Sequence, residues 1–91
     1  MVTAIVLANV KRGAIDETAQ ALLKLSGVSE VYSVAGAWDI AVIVRVPRNE
    51  DLADIVTNGM LRIEGILKTE TLIGFQAYSN YDLDRMFTLG L

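Results

Sequence analysis

The chain has 91 residues, a formal net charge of −3 and neither cysteine nor histidine. That length supports one small domain. The two missing residue types exclude disulfides, thiolate metal sites, a cysteine nucleophile and any Ser-His or Cys-His arrangement. Eight lysines and arginines, scattered singly, make no basic stripe for a phosphate backbone, so this chain alone is not expected to bind nucleic acid. No apolar window approaches the roughly 18 residues of a membrane span, and the N-terminus lacks the basic start of a signal peptide. A soluble, cytoplasmic protein with no membrane partner is expected.

Residues 2–9 are apolar in both parities, which predicts a first strand near the centre of a sheet. Lys11-Arg12-Gly13 breaks it. From Ala14 the apolar positions Ile15, Ala19, Leu22 and Leu23 take helical spacing, with Asp16 and Glu17 suited to the first turn and Ser26-Gly27 ending the helix. Val28 to Val34 reads as a second strand, and Gly36-Ala37 as a hairpin connection, since glycine supplies the positive φ such turns need. Ile40 to Val46 is a nearly continuous β-branched run closed by the only proline, Pro47. It reads as a strand buried on both faces.

Asn49 is the expected N-cap of a second helix, with Leu52, Ile55, Val56 and Ile63 on its inner face. Gly59, on that same face, predicts close packing of helix on sheet, and Gly65 closes the helix. Ile66 to Tyr78 predicts a long last strand with Leu67, Thr69, Thr71, Ile73, Phe75 and Ala77 on one face. A short tail helix over 80–88, capped by Asn80 and bearing Leu83, Met86 and Phe87, completes the chain as a strap.

The order βαββαβ with right-handed crossovers predicts an α+β, ferredoxin-like fold: a four-stranded antiparallel sheet in the order 4-1-3-2 with both helices on one face. Two helices cover one face only, yet the first and third strands are apolar on both. Leaving several such side chains wet costs on the order of 5 kcal/mol, comparable to the whole stability of a small domain. A second copy packing sheet against sheet, as a dimeric α/β barrel, is the expected remedy.

Gly36-x-x-Asp39 before the apolar strand, Arg45-Val46-Pro47 after it, Leu61-x-x-x-Gly65-Ile66 before the last strand, and Thr69 and Thr71 within it form an ordered set. With Phe75-x-x-Tyr78-Ser79-x-Tyr81-Asp82-Leu83, it resembles the ligand-binding (RAM) domain of the Lrp/AsnC transcription regulators over nearly the whole of residues 1–91. The resemblance implies a homodimer that assembles further and an amino acid bound where dimers meet. Full-length members carry a helix-turn-helix first, whereas this sequence starts at the first strand. A sensor without the DNA reader is therefore implied, acting through an Lrp/AsnC-type regulator as partner.

The resemblance places Asp39 in the effector pocket, where a carboxylate can accept from an ammonium group while loop N–H groups hold a carboxylate. Gly36 and Trp38 belong to the same loop, although the indole equally suits a subunit contact. Thr69, Thr71, Leu72, Ile73 and Gly74 match the strand that flanks effectors, and Asn49 matches another effector-sensitive position. No catalytic residue, metal ligand or cofactor is expected. Two other readings share the topology: a small cofactor-free monooxygenase or isomerase, which ordinarily wants a histidine or a positioned acid–base pair, and an ACT-type domain, which pairs sheets side by side.

Overall fold

The structure, a computed structural model, describes residues 1–80. The tail helix expected over 80–88 lies outside the described residues beyond Asn80. The elements are β1 (Val2–Val10), α1 (Ile15–Leu23), β2 (Val28–Ser33), β3 (Ile40–Val46), α2 (Asn49–Asp54) and β4 (Ile66–Gly74). After α2 the chain passes through a wide π-type turn, Ile55–Gly59, and a 3-10 turn, Met60–Arg62. The sheet is antiparallel in the order β2-β3-β1-β4. This is the ferredoxin-like βαββαβ arrangement read from the sequence, in the expected strand order.

Both central strands bury their even-numbered residues. Ala4, Val6, Ala8 and Val10 of β1 and Ile40, Val42, Val44 and Val46 of β3 meet Leu22, Leu52 and Met60 from the helical layer. The odd-numbered residues face away from the helices. Ile5 lies opposite Ile43 on one side and Leu72 on the other, and Leu7 opposite Ala41. Ile5 remains 39% exposed, Leu72 47% and Tyr32 49%. The apolar second face is therefore present, and no element among the described residues covers it. Arg45, Glu30, Lys68 and Glu70 ring it by register. Glu30 accepts a 2.6 Å hydrogen bond from the Tyr32 hydroxyl, and that bond together with the carboxylate's charge pushes the phenol up from its ordinary value.

Several local expectations change. Ile15 and Leu23 are exposed, while α1 buries Thr18 and Leu22. The helix is turned because the α2–β4 connection presses against it: a Cβ on Gly65 would overlap Thr18 Oγ1. Gly59 approaches the Leu25 side chain, just after α1, and not the sheet. The β2–β3 connection is a longer loop than a two-residue hairpin, running from Val34, whose N–H donates to Asp39 O, with Gly36 at φ +133°. β4 ends at Gly74 and not at Tyr78, because Gly74 already pairs with Thr3 and β1 has almost no strand left to offer. Asn49 is the first helical residue of α2, and the N-cap position belongs to Arg48, in extended backbone. There Asp51 performs the capping, its carboxylate accepting from the Arg48 N–H at 3.2 Å.

Candidate functional site

The structure divides the nine expected site residues between two ends of the sheet and its open face. At one end the β2–β3 loop folds over the finish of β1. The Asp39 N–H donates to Ala8 O, and Asp39 Oδ2 accepts from the Val10 N–H at 3.0 Å. The acid thus satisfies a backbone donor that the ladder leaves over as β1 ends. Trp38, half-buried, reaches Lys68 of β4, whose ammonium stands 5.5 Å from the indole centroid. Thr69 lies at this end beside Ala8, on the helix side of the sheet. Gly36 sits at the loop tip, with open space where a Cβ would be.

Removing the Asp39 carboxylate leaves the Val10 N–H without its partner. Asp39→Ala is expected to cost about 1–3 kcal/mol, and Asp39→Asn, which keeps an acceptor oxygen, clearly less. Urea unfolding midpoints at fixed protein concentration check this; equal losses would remove the bracing role.

At the other end, α1 lies over β2 and β3 and α2 over β3 and β1, so the helical layer stops short of β4. A cleft of about 540 Å³ opens there, between α2 with its π turn and the end of β4. Residues 49, 52, 53, 56 and 57 form one helical flank of it, and Thr71, Ile73 and Gly74 the strand side, with Val2 at the base and Phe75 at the rim. Four of the expected residues, Asn49, Thr71, Ile73 and Gly74, meet in this cleft. Ile73 is 52% exposed although it faces the helix side, and Phe75 is 99% exposed. The size matches small-molecule sites, and the arrangement, apolar walls with a few polar groups, is the usual one.

Leu72 belongs to neither end, since it faces away from the helices beside Ile5. The two ends lie about 20 Å apart by strand rise, from the Asn9–Lys68 pair to the Thr3–Gly74 pair. One chain therefore cannot gather all nine residues around one ligand. Leu52, Val56 and Phe75 line the cleft but were not among the expected ligand residues. Their signal was present as the inner stripe of the second helix and as the shared parity of Phe75 with Thr71 and Ile73. Among the described residues no His, Cys, Asp or Glu cluster is arranged to hold a metal, and no helix is long and apolar enough to cross a membrane.

Residues 3–83 match the Lrp/AsnC ligand binding domain family, and the chain belongs to that family. An uncharacterised HTH-type transcriptional regulator of Pyrococcus furiosus is 39% identical over 59 residues, which are 65% of this chain and 39% of that protein. The chain thus spans less than half the length of the curated relatives it matches. A crystal structure of a Thermus thermophilus protein superposes with a TM-score of 0.83 at 41% identity, covering 88% of this chain and all of that one. Escherichia coli AsnC shares the fold, with a TM-score of 0.82 at 24% identity over 90% of this chain and 56% of its own.

Proposed function

We propose that the chain is a non-catalytic, amino-acid-binding regulatory module that works as a homodimer or larger assembly in the cytoplasm. On this reading it modulates transcription through an Lrp/AsnC-type regulator as partner. The observation that carries it is the cleft beyond α2, which collects Asn49, Thr71, Ile73 and Gly74 in a cavity of small-molecule size. Membership of a ligand-binding domain family and relatives named as transcriptional regulators support the regulatory part. The uncovered apolar face of the sheet supports assembly. Assembly also gives the loop end a role: Trp38 and Asp39 of one copy reach a ligand held in the cleft of another only when copies pack together.

Thermal unfolding with each of the twenty amino acids tests the reading. A ligand present at about 100 times its dissociation constant adds about 2.7 kcal/mol, which for a domain of this size raises the midpoint by about 11–22 °C. One or a few amino acids are expected to do so. A flat screen, with no change in the size of the assembly, would sink the amino-acid reading.

A further inference from the structure

The rotation of α1 leaves an apolar stripe on the side that faces away from α2. Thr18 and Leu22 point into the core, and Ala21 faces Ile63 and Gly65 of the α2–β4 connection. At 3.6 residues per turn, Ile15, Ala19 and Leu23 therefore share the opposite flank, as an i, i+4, i+8 row. Ile15 is 36% exposed and Leu23 46%. Asp16 and Lys24 stand beside the row on its outer side, both exposed.

The order of these residues is self-complementary. When two copies lay this flank together with the helices antiparallel about a two-fold axis at Ala19, Ile15 of each meets Leu23 of the other. The small alanine at the crossing lets the helices approach. The same operation brings Asp16 of each copy within about one turn of Lys24 of the other, so opposite charges meet twice. Parallel helices would instead set Asp16 against Asp16 and Lys24 against Lys24, which charge repulsion disfavours.

We propose that the Ile15-Ala19-Leu23 flank of α1 is a second contact between copies of this chain, joining pairs already made through the sheet. It rests on the assembly part of the reading above and not on amino-acid binding. Because α1 lies on the helix side, a chain can hold one copy on its open sheet face and another on this flank. Two different two-fold contacts per chain then alternate around a closed assembly. A nine-residue helix buries less than the roughly 1,200 Å² of a self-sufficient interface, so this contact adds to sheet pairing and does not replace it.

The cysteine-free sequence allows a direct test. Ala19→Cys puts one thiol per chain at the two-fold axis, where the paired helices bring the Cα atoms within the roughly 4.4–6.8 Å that a disulfide spans. Mild oxidation is expected to link these chains in pairs at least about tenfold faster than Glu17→Cys, exposed on another side of the same helix. Sedimentation from about 10 µM to about 1 mM, the range of weak contacts, follows the size. The wild type is expected to grow beyond the pair, and Leu23→Asp, at an exposed position, to stop at the pair. Asp16→Lys is expected to stop there too, and Asp16→Lys combined with Lys24→Asp to restore the growth. A wild type that remains a pair throughout, equal linking at positions 19 and 17, or a combined exchange that restores nothing would overturn this contact and leave the sheet pairing standing. A wild type that is monomeric throughout would overturn the assembly reading together with it.

Discussion

Gly27→Ala is expected to lower stability by about 2–5 kcal/mol, a large part of what a small domain possesses. Two independent costs act at this residue. Gly27 has φ +97°, a conformation in which a side chain costs roughly 1–2 kcal/mol. A Cβ there would also stand 2.7 Å from both Ile55 Cδ1 and Val46 Cγ1. Val46 is buried at the end of β3 and Ile55 opens the π turn after α2, so relief would have to move a strand end or the helix that borders the cleft. Overpacking of this kind adds about 1–3 kcal/mol. The Gly27 carbonyl meanwhile accepts from the Arg45 N–H at 2.8 Å, which limits how far the loop can retreat.

Gly13→Ala supplies the control, because Gly13 also has positive φ, +79°, but has nothing within 4 Å of a Cβ. It is expected to show the backbone cost alone. Urea midpoints of the two variants, measured at one protein concentration because self-association shifts apparent stability, separate the packing cost from the conformational one. If Gly27→Ala cost no more than Gly13→Ala, the wedge between Val46 and Ile55 would not exist.

The physical basis of that contrast also explains what sequence reading reached. Strand order and helix placement were legible because the apolar runs at residues 2–9 and 40–46 are long, and because the βαβ connections leave one favourable hand. Helix rotation was not legible. A hydrophobic stripe singles out Ile15 and Leu23, whereas α1 is seated by Thr18, a polar residue made into core by the close approach of the Gly65 backbone. Strand length failed at β4 for a related reason: Phe75 and Ala77 keep the right parity, but pairing needs a partner strand and β1 supplies almost none beyond Thr3. The cap of α2 was misplaced by one residue because the acceptor is Asp51, three positions on, reaching back to Arg48. The nine site residues were chosen along the chain, where hairpin loop and last strand look like one cluster. In three dimensions the sheet's length separates them.

Ile5→Asp is expected to turn the assembled protein into monomers, raising the dissociation constant at least 100-fold, about 3 kcal/mol. Ile5 is the centre of the face turned away from the helices, flanked by Ile43 and Leu72 on the neighbouring strands. In a two-fold pairing the same patch meets itself, so each central side chain is buried against its counterparts in both copies. One substitution then places two carboxylates in the middle of a desolvated contact, where neither has a partner. The rim has both signs, Glu30 and Glu70 with Arg45 and Lys68, which allows opposite charges to meet when one face is turned over onto another. Within a single chain Ile5 already touches solvent, so the fold should survive the change while the pairing does not. Leu61→Asp, at a still more exposed side chain but on the 3-10 turn away from the sheet, is expected to leave the assembly intact. Sedimentation of wild type and both variants at micromolar concentration decides the matter. A wild-type monomer, or an Ile5→Asp protein of wild-type size, would show that this face is not where copies join. A halved mass for Ile5→Asp alone would locate the contact on the sheet. It would also place Leu72, the one expected site residue that belongs to neither end, among the side chains that copies bury against each other.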